Sequence, residues 1–197
     1  MSQPVQIPPD VTVTERLMAT PTRPATVLQP TYGPYTFATA HSELHESGLQ
    51  PLRGHTYSVT VRLRVRVGDW RHNDGAIVQM VANKVVAPLR DRTLVAEYPA
   101  AGRCLADERQ ITIEAGLQRY SFPRAHVTLL PIENTTLDVL AGYLLEQLTP
   151  ELAEVPGLSS LELTLAESPF VAVTVSAGVG PNDGSLSETD RRNDDEI

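Results

Sequence analysis

The chain has 197 residues, of which 41% are hydrophobic, and a formal net charge of -8. That length suits one globular domain with a real core, and the acidic balance excludes unspecific binding to nucleic acid or an anionic membrane. The single cysteine, Cys104, excludes an internal disulfide framework and fits a reducing cytosol. No apolar run is long enough to cross a bilayer, and the N-terminus lacks the basic-then-apolar pattern of a signal peptide, so the expected location is cytoplasmic.

Residues 1–34 hold seven of the sixteen prolines and little periodic pattern. They read as an extended proline-rich arm, with one short strand at Val11–Leu17. The expected domain covers residues 35–177, and residues 178–197 read as a disordered acidic tail. Within the domain, YTFATAH alternates with Tyr35, Phe37, Thr39 and His41 on one face. A long strand follows in RGHTYSVTVRLRVRV, with Tyr57, Val59, Val61, Leu63, Val65 and Val67 inward and Arg62, Arg64 and Arg66 outward. Arg53 and His55 share the parity of the apolar side.

AIVQMVANKVVAPL predicts a helix carrying Ile77, Met80, Val81 and Val85 on its apolar face, capped by Asp74 and ended by Pro88. QITIEAGLQRYSF predicts a hairpin around Ala115-Gly116. HVTLLPI is a strand. NTTLDVLAGYLLEQL is the clearest helix, with Leu137, Leu140, Ala141, Leu144, Leu145 and Leu148 inward and Asn134 or Thr135 as its cap. Leu161–Val175 reads as a last strand that changes phase at Pro169. Strands outnumber helices and neighbours look antiparallel. The fold class is therefore α+β, with helices on one face of an antiparallel sheet.

Two sites carry chemistry. His41 ends one inward face and His55 begins the next. Such a pair is half of a strand-borne metal chelate, or two strand-end histidines that only hydrogen-bond. Arg53, two before His55, cannot ligate a metal because guanidinium has no free lone pair. Glu167 shares parity with Leu161, Leu163 and Leu165. An inward carboxylate there accepts two parallel N–H bonds, as from an amino group beside a ring N–H in a pterin or guanine; the alternative is a bulge that turns it to solvent. His45, Glu46, Asp91 and Cys104 are weaker candidates for a ligand or a base. No phosphate loop, dinucleotide fingerprint or nucleophile elbow is present.

The motifs FATAH, RGHTYSV, NDGAIV, PLRDRTL, LLPIENTTLDVLA and ESPFVAV, in that order, resemble the 6-pyruvoyltetrahydropterin synthase and 6-carboxytetrahydropterin synthase family. The resemblance spans about Tyr35 to Val175. It implies the tunnelling fold, a four-stranded antiparallel sheet with two helices on one face, here with a hairpin insertion. It also implies a homo-oligomeric barrel with sites between subunits, and zinc-dependent lyase chemistry on dihydroneopterin triphosphate. By the resemblance, His41 and His55 match zinc histidines, and Arg53 stands at the middle ligand. The catalytic cysteine falls on Leu49, and the Asp-His pair appears as Arg90-Asp91. Glu167 matches the pterin anchor, and Thr136 and Asp138 match the Asn-x-Thr-x-Glu/Asp helix start.

Two functions are expected. One is a synthase-like protein that binds a pterin or purine-like small molecule, as a lyase with altered chemistry. The other is a non-catalytic homologue serving as a ligand-binding or structural subunit. Neither calls for nucleic acid or a membrane.

Overall fold

The structure, a computed structural model, describes residues 26–71 and 73–179. The strand read at Val11–Leu17 and the tail beyond residue 179 lie outside the described residues.

The N-terminal half holds β1 (Val27–Leu28), β2 (Thr31–His41), β3 (Leu44–His45), β4 (Gly48–Leu49), β5 (Arg53–Arg66) and α1 (Asp74–Val86). Then come β6 (Arg92–Ala96), β7 (Arg103–Ala106), β8 (Gln110–Ala115), β9 (Gln118–Pro123) and β10 (Val127–Leu130). The chain closes with α2 (Leu137–Leu152), β11 (Leu158–Ser168) and β12 (Val171–Gly178).

The main sheet runs β10-β6-β2-β5-β11-β12, with β1 also paired to β5. The expected four-stranded antiparallel sheet is its central part, β2-β5-β11-β12. Beyond β2 the pairing is parallel: β6 with β2, and β10 with β6. Helix α1 and a short 3-10 turn at Ala87–Leu89 carry the chain from β5 round to β6. The expectation of antiparallel neighbours throughout is thus corrected at one edge. The predicted insertion is a three-stranded sheet, β7-β8-β9, with the turn at Gly116-Leu117.

Alternation builds the core. Tyr57, Val59, Val61, Leu63 and Val65 of β5 and Leu161, Leu163 and Leu165 of β11 are all buried. Both helices cover that same face, α2 with Leu140, Ala141, Leu144, Leu145 and Leu148, α1 with Val78, Val81, Ala82 and Val86. The α1 face is rotated from the one expected: Ile77 and Met80 are exposed. Asp74 is not the cap either. It is the first helical residue, and its carboxylate accepts the Arg71 backbone N–H at 2.7 Å, while Asn73 takes the cap position. Val67 also differs from the reading, being exposed where β5 runs past the core. The phase change at Pro169 is a turn: β11 and β12 form a hairpin rather than one strand, with a bulge between Ala166 and Ser168.

Gly157 joins α2 to β11 at φ +72°, and a methyl group added there would stand 2.5 Å from Asp69 Cβ. Its carbonyl accepts the Arg66 N–H at 3.0 Å. A Gly157→Ala variant is expected to lose about 1–2 kcal/mol from the left-handed backbone alone, and more if Asp69 cannot move. Urea unfolding measures the loss. An unchanged midpoint would mean that this turn relaxes freely.

Candidate functional site

The site forms where β2 ends and β5 begins. Antiparallel register sets His41 across from Arg53 and Thr39 across from His55. The imidazoles of His41 and His55 lie with centroids 5.0 Å apart. Glu167 sits at the β11 bulge, and its Oε1 is 2.9 Å from His55 Nδ1. The structure therefore brings His41, His55 and Glu167 together. Glu167 is neither fully inward nor turned away: its side chain is 33% exposed. A carboxylate beside Nδ1 favours a proton on that nitrogen, so the contact orients the His55 ring. Arg53 is exposed, because β5 projects beyond the core at this end, so its inward parity does not bury it.

His41 is 2% exposed and fully committed. Thr135 Oγ1 donates to the Ser42 carbonyl at 3.2 Å, which uses its only hydrogen. The 3.1 Å contact between His41 Nδ1 and Thr135 Oγ1 therefore has the imidazole as donor. Nε2 is then an acceptor, and the Tyr57 hydroxyl donates to it at 2.9 Å. The result is one directed chain from Tyr57 through His41 and Thr135 to Ser42. Burial, with His55 beside it, pushes the His41 pKa below its ordinary value, which keeps the ring neutral. Burial, then the charges of Glu167 and Glu43, push the Tyr57 phenol well up, so it stays protonated.

The loop before α2 is tied down by the residues read as helix caps. Asn134 Oδ1 accepts the N–H groups of Leu44 and Thr135, each at 2.9 Å, and its amide donates to the Leu44 carbonyl at 2.8 Å. The N-cap position falls instead on Thr136, which makes no side-chain cap bond. The Thr136 hydroxyl holds the Asp138 carboxyl below its usual range. Neither residue is joined to His55 or Glu167 by a hydrogen bond or ion pair among the described residues.

The weaker candidates scatter. His45 is on the surface, 3.1 Å from Glu43 Oε2, and Glu46 is exposed. Leu49, where the resemblance puts a cysteine, is buried in a small second core with Val95, Ile111, Ile113 and Ala115. Cys104 lies on β7 in the insertion sheet, where burial and Glu97 push its thiol up, away from the reactive thiolate. Asp91 adopts φ 56° and, with Arg92 and His126, lines a cavity of about 460 Å³. Its floor includes Ala38 and Ala40, which point away from the His41 side of β2. Sequence reasoning missed two members of the site. Tyr57 looked like core, and Thr135 looked like a cap; a hydroxyl two residues from His55 on the same face was the available signal.

A zinc ion held as the resemblance implies needs three convergent donors. Both nitrogens of His41 are bonded within the protein, and Arg53 supplies no lone pair. Among the described residues, no three His, Cys, Asp or Glu side chains form a metal-holding group. The residues present do not fit that ion.

Among solved structures, the chain is similar to the 6-pyruvoyltetrahydropterin synthase of Plasmodium vivax, including a catalytic-residue mutant of it. The TM-score is 0.70 at 23% identity, over 78% of this chain and 99% of that one. The Plasmodium falciparum enzyme gives a TM-score of 0.68 at 22% identity, over 79% of this chain and 99% of that one. Neither a protein-family model nor a curated protein matches the chain. The fold of this chain is the tunnelling fold of the 6-pyruvoyltetrahydropterin synthases.

Proposed function

We propose that the chain binds a pterin-type bicyclic ring through Glu167, in a homo-oligomer whose copies complete the sites. The observation that carries this reading is the position of that carboxylate. It is held against His55 and partly open to solvent. Glu167 also borders a cavity of about 330 Å³ whose other lining includes Thr56, Ser58 and Ala166, on the strand face opposite His55. Pockets of roughly 300 Å³ upward accept small bicyclic ligands. Each carboxylate oxygen has two lone pairs, so the contact with His55 leaves capacity for a ring N–H and its neighbouring amino group. The similar solved structures are named for synthesis of a pterin, which supports the ligand class.

A second reading, ligand binding without lyase catalysis, has its own support. Leu49 fills the thiol position with a buried aliphatic side chain, and Cys104 is protonated and in another sheet. The two readings share the anchor and differ in chemistry.

The test is fluorescence titration with neopterin. Glu167→Gln keeps the shape but sets an amide N–H against the ligand's N–H groups. Replacing charge-assisted bonds in this way is worth about 1.5–3 kcal/mol, or roughly a tenfold to hundredfold weaker Kd. Equal affinity in a folded Glu167→Gln variant would remove the anchor. Triphosphate release from dihydroneopterin triphosphate then separates the readings: turnover selects the lyase, and binding without turnover selects the non-catalytic homologue.

A further inference from the structure

We infer that Tyr57, not a metal ion, organises the histidine centre: its hydroxyl occupies the one lone pair that His41 has to offer. In a neutral imidazole only one nitrogen can accept, and here that is Nε2, since Nδ1–H is spent on Thr135. A metal approaching His41 must displace a hydroxyl whose residue is 1% exposed, and among the described residues that hydroxyl has no other hydrogen-bond partner. Nδ1 faces Thr135, which has no second hydrogen to give, so Nδ1 stays the protonated nitrogen and Nε2 the acceptor. That leaves Nε2 of His55 as the only nitrogen of the pair without a side-chain partner among the described residues.

One donor does not hold a divalent ion, and the guanidinium of Arg53, on the strand position across from His41, adds repulsion. Meanwhile the relay already does mechanical work. It joins β5 (Tyr57), β2 (His41), the loop after β2 (Ser42) and the segment leading into α2 (Thr135). Of these, a metal ion at the strand pair would hold together only β2 and β5. The inference concerns the same site as the proposed ligand but does not need the ligand to be a pterin.

The test uses untagged full-length protein, exposed to excess zinc, desalted and measured by mass spectrometry of the metal. The wild type is expected to retain less than about 0.1 zinc per chain, since sites of this kind need three donors or more. An Arg53→His/Tyr57→Phe variant restores a third imidazole and frees Nε2, and is expected to rise toward about one zinc per chain. Arg53→His alone, at an exposed position that leaves the core intact, should stay near the wild type; cobalt substitution gives an independent absorption readout of it. About one zinc per wild-type chain, lost in His41→Ala, would overturn the inference, as would full occupancy in Arg53→His alone. A folded double variant that takes up no zinc would also overturn it. Neopterin affinity is read separately, so failure here and failure of the ligand reading are distinguishable.

Discussion

A His41→Ala variant is expected to lose about 3 kcal/mol or more of unfolding free energy, from one stranded buried donor and the cavity left by the ring. Removing the imidazole takes the acceptor from the Tyr57 hydroxyl, which is buried beneath the sheet end. Thr135 still donates to Ser42, so that half of the relay survives. Tyr57→Phe should cost less, about 1–2 kcal/mol, because it strands only the acceptor at His41. Urea unfolding followed by circular dichroism measures both. A loss below about 1 kcal/mol for His41→Ala would mean that the hydrogen-bonded chain is not formed.

The same residue sets a pH dependence. Burial lowers the folded-state pKa of His41 below 6.5, so in acid the unfolded chain takes up the proton first. Its contribution is present above that pH and is lost as pH falls through and below 6.5. The difference in stability between the wild type and His41→Ala should shrink in that direction. A gap that stays constant from neutral to mildly acid pH would contradict the assigned burial.

A Leu163→Ala variant is expected to lose about 2–5 kcal/mol, the range for truncating a fully buried leucine. Leu163 is 0% exposed and lies between Val61 on β5 and Val175 on β12. Its neighbours are strands paired on both sides, so they cannot collapse easily into the space. That puts the expected cost in the upper half of the range. A loss near 1 kcal/mol would show that α2 settles onto the sheet to fill the void.

Much of the fold was legible because alternation on a half-buried strand leaves little choice. Placing Val59 inward fixes Val61, Leu63 and Val65. Helix α2 was equally plain, since its leucines recur at helical spacing without competitors. Helix α1 was not. Five valines and isoleucines in a short span satisfy two neighbouring faces, and the side that wins is decided by where β2 and α2 lie. The strand Arg92–Ala96 went unread because it is short and follows a 3-10 turn, and its parallel partners are set by the long return through α1.

The site divides the same way. Parity and the bulge put Glu167 near His55, and the facing register of β2 and β5 brought His41 to it. What sequence could not give was the role of hydroxyls. Asn134 and Thr135 satisfy local rules for a helix start as well as Thr136 does. Only the return of β2 beside that loop turns Thr135 into the acceptor for His41. Arg53 shows the converse: parity named its side of the strand, yet no described residue covers the strand there and Arg53 is exposed.

The sheet order carries one kinetic consequence. β2 and β5 can find each other early, as can β11 and β12, because each pair is close along the chain. The seam between these two hairpins, β5 against β11, joins segments separated by both helices and the insertion. Loop-closure entropy must be met before that seam rewards it, so acquisition of the native state should be slow, on the order of milliseconds to seconds. Until the seam closes, the apolar side of β5 has a naked margin, and that interval is when newly made chains are most exposed to clumping.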